Sequence, residues 1–161
     1  METVAIKAVE ILKEKKLTVA AAESCTGGLV SAKITSVSGS SEVISFSMTT
    51  YSNEVKIQKL GVNRKTVETF GAVSEQTARE MAENIRRLAD SDIGVSVTGV
   101  AGPSTSEGKA VGTVFIGIST NQKTTVTKLG PEPLSRDEVR ENAAEKALEL
   151  IYKTAQEYRK E

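Results

Sequence analysis

Apolar residues along the chain alternate between two periods. Over residues 3–16, Val4, Ala8, Ile11 and Leu12 recur at helical spacing with mostly charged residues opposite, which predicts a scaffold helix ending in Lys13, Lys15 and Lys16, where the dipole favours cations. Residues 17–22 then read as a strand whose alanines predict close packing under helices. A helix is predicted from Gly28 to about residue 36, followed by the turn Ser38-Gly39-Ser40-Ser41 and a second strand over 43–50. Ser52 is placed to cap a helix covering 53–60 and ending at Gly61, and a short helix over 63–70 closes at Gly71. Ser74 caps the clearest amphipathic helix, with Ala78, Met81, Ala82, Ile85 and Leu88 on its apolar face.

Alternation returns over 93–98, the next strand, and residues 112–118 and the Thr- and Lys-rich 123–129 also read as strands, which a tight turn joins into a polar antiparallel edge hairpin. The loop between Pro103 and Ala110 is polar and is expected to be mobile. Ser135 and Glu138 form a capping box for a last helix with the stripe Val139, Ala143, Ala147, Leu148, Ile151 and Ala155. Alternating helices and strands predict an α/β fold, a three-layer α/β/α sandwich with a mixed, mostly parallel sheet, and one domain spanning 1–161. The strands at 17–22, 43–50 and 93–98 all end in small polar residues. Ligands collect at the carboxyl ends of strands in open α/β sheets, so three loops are expected to converge on one crevice.

One of those strand ends, Glu23-Ser24-Cys25-Thr26-Gly27-Gly28, runs from strand into helix and would leave backbone N–H groups free for a phosphate, a carboxylate or an oxyanion. The alternative reading of the same residues is a capped helix behind a tight turn. Lys56 lies four positions after the cap Ser52, near a helix N-terminus that lowers its pKa slightly. On pattern alone it is a solvated surface lysine.

Composition narrows the chemistry. Lys+Arg and Asp+Glu both number 21, so there is no net charge to draw nucleic acid or an anionic membrane. Aromatics are 4% with no Trp, which leaves little for a base-stacking surface. The single cysteine excludes an intrachain disulfide and a Cys-pair zinc site. The start shows no signal-peptide pattern and no apolar run is long enough for a membrane span, so a cytoplasmic protein is expected. The most informative figure is a histidine count of 0: a hydrolase built on this chain needs Lys, a carboxylate, Tyr or an activated water as its base.

Several motifs, in order, resemble the C-terminal domain of the CinA (competence/damage-inducible) family. They are Ala22 to Gly28, Gly39-Ser40-Ser41, Tyr51 to Lys56, Gly71 to Ser74, Thr98 to Pro103 and Val111 to Val114. The resemblance covers nearly the whole chain. Larger members carry a further N-terminal domain whose activities are not transferred. Stand-alone members include nicotinamide mononucleotide amidohydrolases, which hydrolyse the substrate's carboxamide to nicotinate mononucleotide and ammonia without a metal or other cofactor. The resemblance implies a small-molecule nucleotide as the partner, with self-association left open, and places Ser24, Ser41, Tyr51, Lys56 and Thr98 at the site with an arginine of the last helix. Within it, Ser41 is the first choice as nucleophile, assisted by a neutral Lys56, with Ser24 orienting it or exchanging roles. Tyr51 would bond the lysine or the substrate. Thr26, Gly27, Gly28, Thr98 and Gly99 are the expected phosphate or ribose ligands, with Arg136 or Arg140 clamping the phosphate. Cys25 is expected to be a buried filler. The alternatives are a non-catalytic pyridine-nucleotide-binding or regulatory module, and a hydrolase of another small amide or phosphate ester. This chain departs from the family in having Ser38 where proline is common, Ser47-Met48-Thr49 before Thr50, and a shorter, less glycine-rich loop at 104–110.

Overall fold

A computed structural model describes residues 1–160. Its order is α1 (Val4–Lys15), β1 (Val19–Glu23), α2 (Leu29–Thr35), a 3-10 turn (Ser40–Glu42), β2 (Met48–Thr49), α3 (Asn53–Gln58), α4 (Arg64–Phe70), α5 (Glu75–Ala89), β3 (Ile93–Gly99), β4 (Val114–Ser119), β5 (Thr124–Leu129) and α6 (Arg136–Glu157). The five strands form one sheet in the order β2-β1-β3-β4-β5. It is mixed, as expected, with β1 parallel to β2 and β3, and β4 antiparallel to β3 and β5. Parallel and antiparallel pairings are thus equal in number, and the hairpin β4–β5 forms one edge.

Alternation along β1 divides the core. Val19 and Ala21 face α1, α2 and α6, together with Ile93, Val95 and Val97 of β3. Ala20 and Ala22 face the other layer, with Leu60, Val67, Met81 and Ile85. Small residues let α5 press onto the sheet. A Cβ on Gly94 would lie 2.2 Å from the Ala82 carbonyl, and one on Gly117 would lie 2.6 Å from the Ala78 carbonyl. Between them, the Ser96 hydroxyl donates to the same Ala78 carbonyl at 2.6 Å and accepts from the Gly117 N–H. The expected stripe of α6 is buried, and its capping box forms as read. Lys33 of α2 pairs with Glu141 and Glu145 of α6, joining the two helices of that layer.

Two expectations fail. The strand over 43–50 is reduced to Met48–Thr49, because residues 40–42 turn as a 3-10 helix and the ladder beside β1 is completed by other means. Val19 donates its N–H to the Val43 carbonyl at 2.8 Å, and Ala21 donates to the Ser47 hydroxyl at 3.0 Å, where a strand would offer a carbonyl. Leu88, assigned by period to the buried face of α5, is 55% exposed; Ile85 is the last fully buried residue of that face, and Ala89 continues it towards the αL cap at Asp90.

Candidate active site

The loops after β1, β2 and β3 open on the same end of the sheet and, with α3 and the start of α6, enclose a cleft of about 410 Å³. Ser24 follows β1 directly, and its N–H donates to the Val97 carbonyl at 2.9 Å, which fixes the end of one central strand against the next. Tyr51 follows β2. Ser52 then caps α3 by accepting the Val55 N–H, and Lys56 is the one buried residue of that short helix. Its side chain reaches inward until Nζ lies 3.0 Å from Ser24 Oγ and 3.0 Å from the Tyr51 carbonyl.

Lys56 is 1% exposed, so the surface-lysine reading is wrong. No carboxylate forms an ion pair with it among the described residues. Burial therefore dominates and lowers its pKa from 10.5 to about 8, against weaker opposing pulls from Cys25 and Glu107. An amine of this kind keeps a sizeable neutral fraction near neutral pH. Neutral Nζ can donate to the Tyr51 carbonyl while its lone pair accepts the Ser24 proton, which activates the serine hydroxyl. Burial drives the neighbouring Cys25 thiol the other way, from 9.0 up to about 11, so Cys25 is the expected inert filler.

The turn after Ser24 does not offer the anion cradle that its sequence suggests. Glu23, the last residue of β1, folds its buried carboxylate onto the start of α2. Oε1 accepts from Thr26 Oγ1 at 2.7 Å and the Val30 N–H at 2.8 Å. Oε2 accepts from the Ser31 N–H at 3.0 Å and Ser31 Oγ at 2.7 Å. The chain supplies its own anion to those helix donors. Gly27 also donates its N–H to the Ser24 carbonyl, and Gly27 and Gly28 hold positive φ to make the turn. Thr26, Gly27 and Gly28 therefore build the turn and do not line the cleft. Arg140 likewise does not face it: Nε donates to the Cys25 carbonyl and Nη2 to the Thr26 carbonyl, pinning the turn from α6. Arg136 does line the cleft, donating from Nη1 to the Gly102 carbonyl and from Nη2 to Tyr51 Oη at 3.0 Å.

Thr98 and Gly99 lie in the wall, but the buried Thr98 hydroxyl is already donated to the Ala72 carbonyl at 2.8 Å. Ser41, the first choice as nucleophile, is not brought to this site. It sits exposed on the 3-10 turn, whose next residue, Val43, bonds the first residue of β1, whereas Ser24 follows the last. Roughly 16 Å of strand separates Val19 from Ser24. Sequence reading missed Glu107, which lines the cleft while its Oε1 and Oε2 accept the N–H groups of Ala72 at 3.0 Å and Val73 at 3.1 Å. Lys109 donates to the carbonyls of Phe70 and Val73, so the loop expected to be mobile is tied to the wall at two points. A polar loop carrying two opposite charges two residues apart was the available signal.

Fold and cleft together define an α/β domain with a buried serine–lysine pair at its strand ends. Residues 1–155 match the family described as the CinA C-terminal domain, and the chain belongs to that family. A relative in Thermoanaerobacter pseudethanolicus, from the group named for competence-damage induction, is 54% identical over 131 residues, covering 80% of this chain and 31% of the relative. The crystal structure of the competence/damage inducible protein CihA from Agrobacterium tumefaciens is 35% identical, covers 92% of this chain and 93% of its own, and superposes with a TM-score of 0.86. The competence damage-inducible protein A from Klebsiella pneumoniae is 27% identical with a TM-score of 0.93, covering 97% of each chain. The chain spans about a third of the length of the curated relatives it matches. No helix among the described residues is long and apolar enough to cross a membrane.

Proposed function

We propose that the protein is an amidohydrolase that converts nicotinamide mononucleotide to nicotinate mononucleotide and ammonia, with Ser24 as nucleophile and Lys56 as its base. The observation that carries this reading is the 3.0 Å contact between Lys56 Nζ and Ser24 Oγ, both buried at the floor of an open cleft. The choice of substrate rests on the family resemblance. A cleft of about 410 Å³ falls in the ordinary range for small-molecule sites.

In the acylation step, Ser24 Oγ attacks the carboxamide carbon as its proton passes to the lone pair of Lys56 Nζ. Of the turn that follows Ser24 only Cys25 lines the cleft, so its peptide N–H is the donor assigned to the developing oxyanion. Collapse of the tetrahedral adduct breaks the C–N bond, and Lys56 returns the proton to the departing nitrogen, which leaves as ammonia. Water then attacks the acyl-serine, giving one proton to Lys56. Expulsion of Ser24, which takes that proton from Nζ, frees the carboxylic acid, and the acid loses its own proton to solvent as it becomes the carboxylate. Tyr51 serves through its carbonyl, which orients Nζ, and through its hydroxyl, which steadies Arg136. Arg136, at the mouth of the cleft, takes the phosphate.

The test is incubation of the purified protein with nicotinamide mononucleotide and a chelator, reading ammonia and the deamidated nucleotide by mass. Release of both across about pH 6 to 9 is expected, the range in which a lysine of this pKa acts as base. Saturable binding with no change in the ligand would replace this reading with that of a nucleotide-binding module.

A further inference from the structure

Three ionisable charges line the cleft: Lys56, Arg136 and the carboxylate of Glu107. Two peptide N–H groups, those of Ala72 and Val73, take one oxygen of Glu107 each, a fork that an amide, with its single oxygen, would only half fill. The one counter-cation, Lys109, stands 3.6 Å from Oε2 but lies outside the cleft lining, engaged with the Phe70 and Val73 carbonyls. The charge is still felt in the cleft that Glu107 lines, where it favours the protonated form of Lys56 and works against the group that needs to be neutral. The main chain at Glu107 adopts φ 54, in the left-handed region that asparagine or glycine would enter at lower cost. A glutamate at this position opposes both the base and the local backbone preference, and a cationic ligand would give its charge a use.

We propose that Glu107 is the specificity-determining residue of the cleft, pairing its carboxylate with a cationic heteroaromatic ring and thereby selecting N-glycosylated pyridinium carboxamides over uncharged aromatic carboxamides. The inference rests on the amidohydrolase reading of the cleft and assigns it a charge polarity: the ring lies towards Glu107, the anionic end of the ligand towards Arg136, and the carboxamide over Ser24. A pyridinium ring spreads its positive charge over the atoms next to the carboxamide. A carboxylate in the wall of the cleft that Ser24 also lines therefore meets that charge while the amide carbon is at the hydroxyl.

The experiment compares nicotinamide mononucleotide with its uncharged isostere, the 5′-phosphate of benzamide C-riboside, in which carbon replaces the ring nitrogen. Affinities are measured by titration calorimetry on the full chain carrying Ser24→Ala, which holds both ligands without turnover, with and without the added change Glu107→Gln. With Glu107 present, the cationic ligand is expected to bind about tenfold tighter, as one partly screened charge pair gives. Adding Glu107→Gln should collapse that ratio by weakening the cationic ligand alone. Equal binding of the two ligands with Glu107 in place overturns the proposal whatever the folding of the double variant. So does equal weakening of both by Glu107→Gln, which would make Glu107 a loop staple only. Ammonia release by the unmodified protein reports separately on the parent reading. Turnover with no charge preference removes this inference and leaves that reading standing. A preference that collapses in Glu107→Gln without turnover keeps charge selection and removes hydrolysis. Failure to bind either ligand overturns both.

Discussion

Two serine turns of this chain look alike in sequence and differ in every property that matters for chemistry. Ser24 and Ser41 each have a glycine within three residues, and both belong to turns next to short helical segments. Ser24 is buried at the carboxyl end of a central strand, with a buried amine 3.0 Å from its hydroxyl. Ser41 is exposed on a 3-10 turn at the opposite end of that strand. The turn at Ser24 is held by a buried glutamate on one side and by Arg140 on the other. Beside Ser41, the ion pair Lys13–Glu42 lies in solvent, where such pairs are worth little. The distinction comes from position at the strand end and from a lysine 32 residues away in sequence.

The largest expected effect separates the two turns directly. Ser24→Ala and Lys56→Ala should each lower kcat by about a thousandfold or more, since each removes a group that acts only as part of a unit. The double variant should be little worse than either single one, because neither half works without the other. Lys56→Arg should not rescue turnover, because a guanidinium keeps its proton and cannot accept another. Steady-state ammonia release checks all four, and a Ser24→Ala enzyme that kept its kcat would return the attacking role to some other hydroxyl.

The burial of Lys56 gives a second pair of readings, smaller and opposite in sign. Its neutral form is the base, so kcat/KM should rise about 50-fold from pH 6 to pH 8 and level off above the pKa of about 8. Stability follows from the same shift. Below about pH 8 both folded and unfolded chains carry the charge, and the cost of burying it stands in full. From about 8 to 10.5 only the unfolded chain holds the proton, so this group's contribution to stability rises with pH and is complete above 10.5. Lys56→Met removes that cost. It should be inactive, yet more stable than the parent at pH 7 by on the order of 2 kcal/mol, after allowing for the bond lost to the Tyr51 carbonyl. The gap should close by pH 10.5 in urea unfolding followed at both pH values. Cys25 has the opposite sign, its folded pKa of about 11 lying above 9.0, and because Lys56 is one of the charges acting on it the difference is read first at pH 7, where the thiol is protonated in both proteins.

Most of the frame was legible because it rests on local rules. Ser52, Ser74 and Ser135 cap the helices they were expected to cap, and the stripe of α6 is buried as its spacing required. Convergence of the strand-end loops followed from topology. The misreadings concern where a side chain points once the chain has folded. No local pattern distinguishes a lysine on a six-residue helix that faces water from one that points into a cleft. Nothing in the sequence Glu23-Ser24-Cys25 says that the carboxylate folds back onto the helix that follows, so the same residues fit an open anion cradle and a capped helix equally. Arg136 and Arg140, one turn apart, were equivalent in sequence. Only packing sends one to the cleft and the other to the back of the turn. The second strand shortened because Ser47 offered its side chain where a ladder would use a carbonyl, a substitution that leaves the apolar pattern unchanged.

The smallest expected effect is the one that closes the comparison. Ser41→Ala should leave kcat and KM within about twofold of the parent and stability within about 0.5 kcal/mol, the usual range for a surface substitution away from caps and cores. The hydroxyl is exposed and makes no side-chain hydrogen bond among the described residues, so its removal exposes no buried partner. The neighbouring serine supplies the contrast in burial: Ser40 is 8% exposed, and its carbonyl accepts the N–H groups of Val43 and Ile44, bonds that any residue could make. Should Ser41→Ala fall as far as Ser24→Ala in ammonia release while its unfolding midpoint stays fixed, the turn must move to the cleft when ligand binds. The serine–lysine pair seen here would then be only part of the working site. Equal activity of Ser41→Ala and the parent would leave Ser24 alone with Lys56, and strand-end position, not the serine-glycine turn, as the feature that selects the nucleophile.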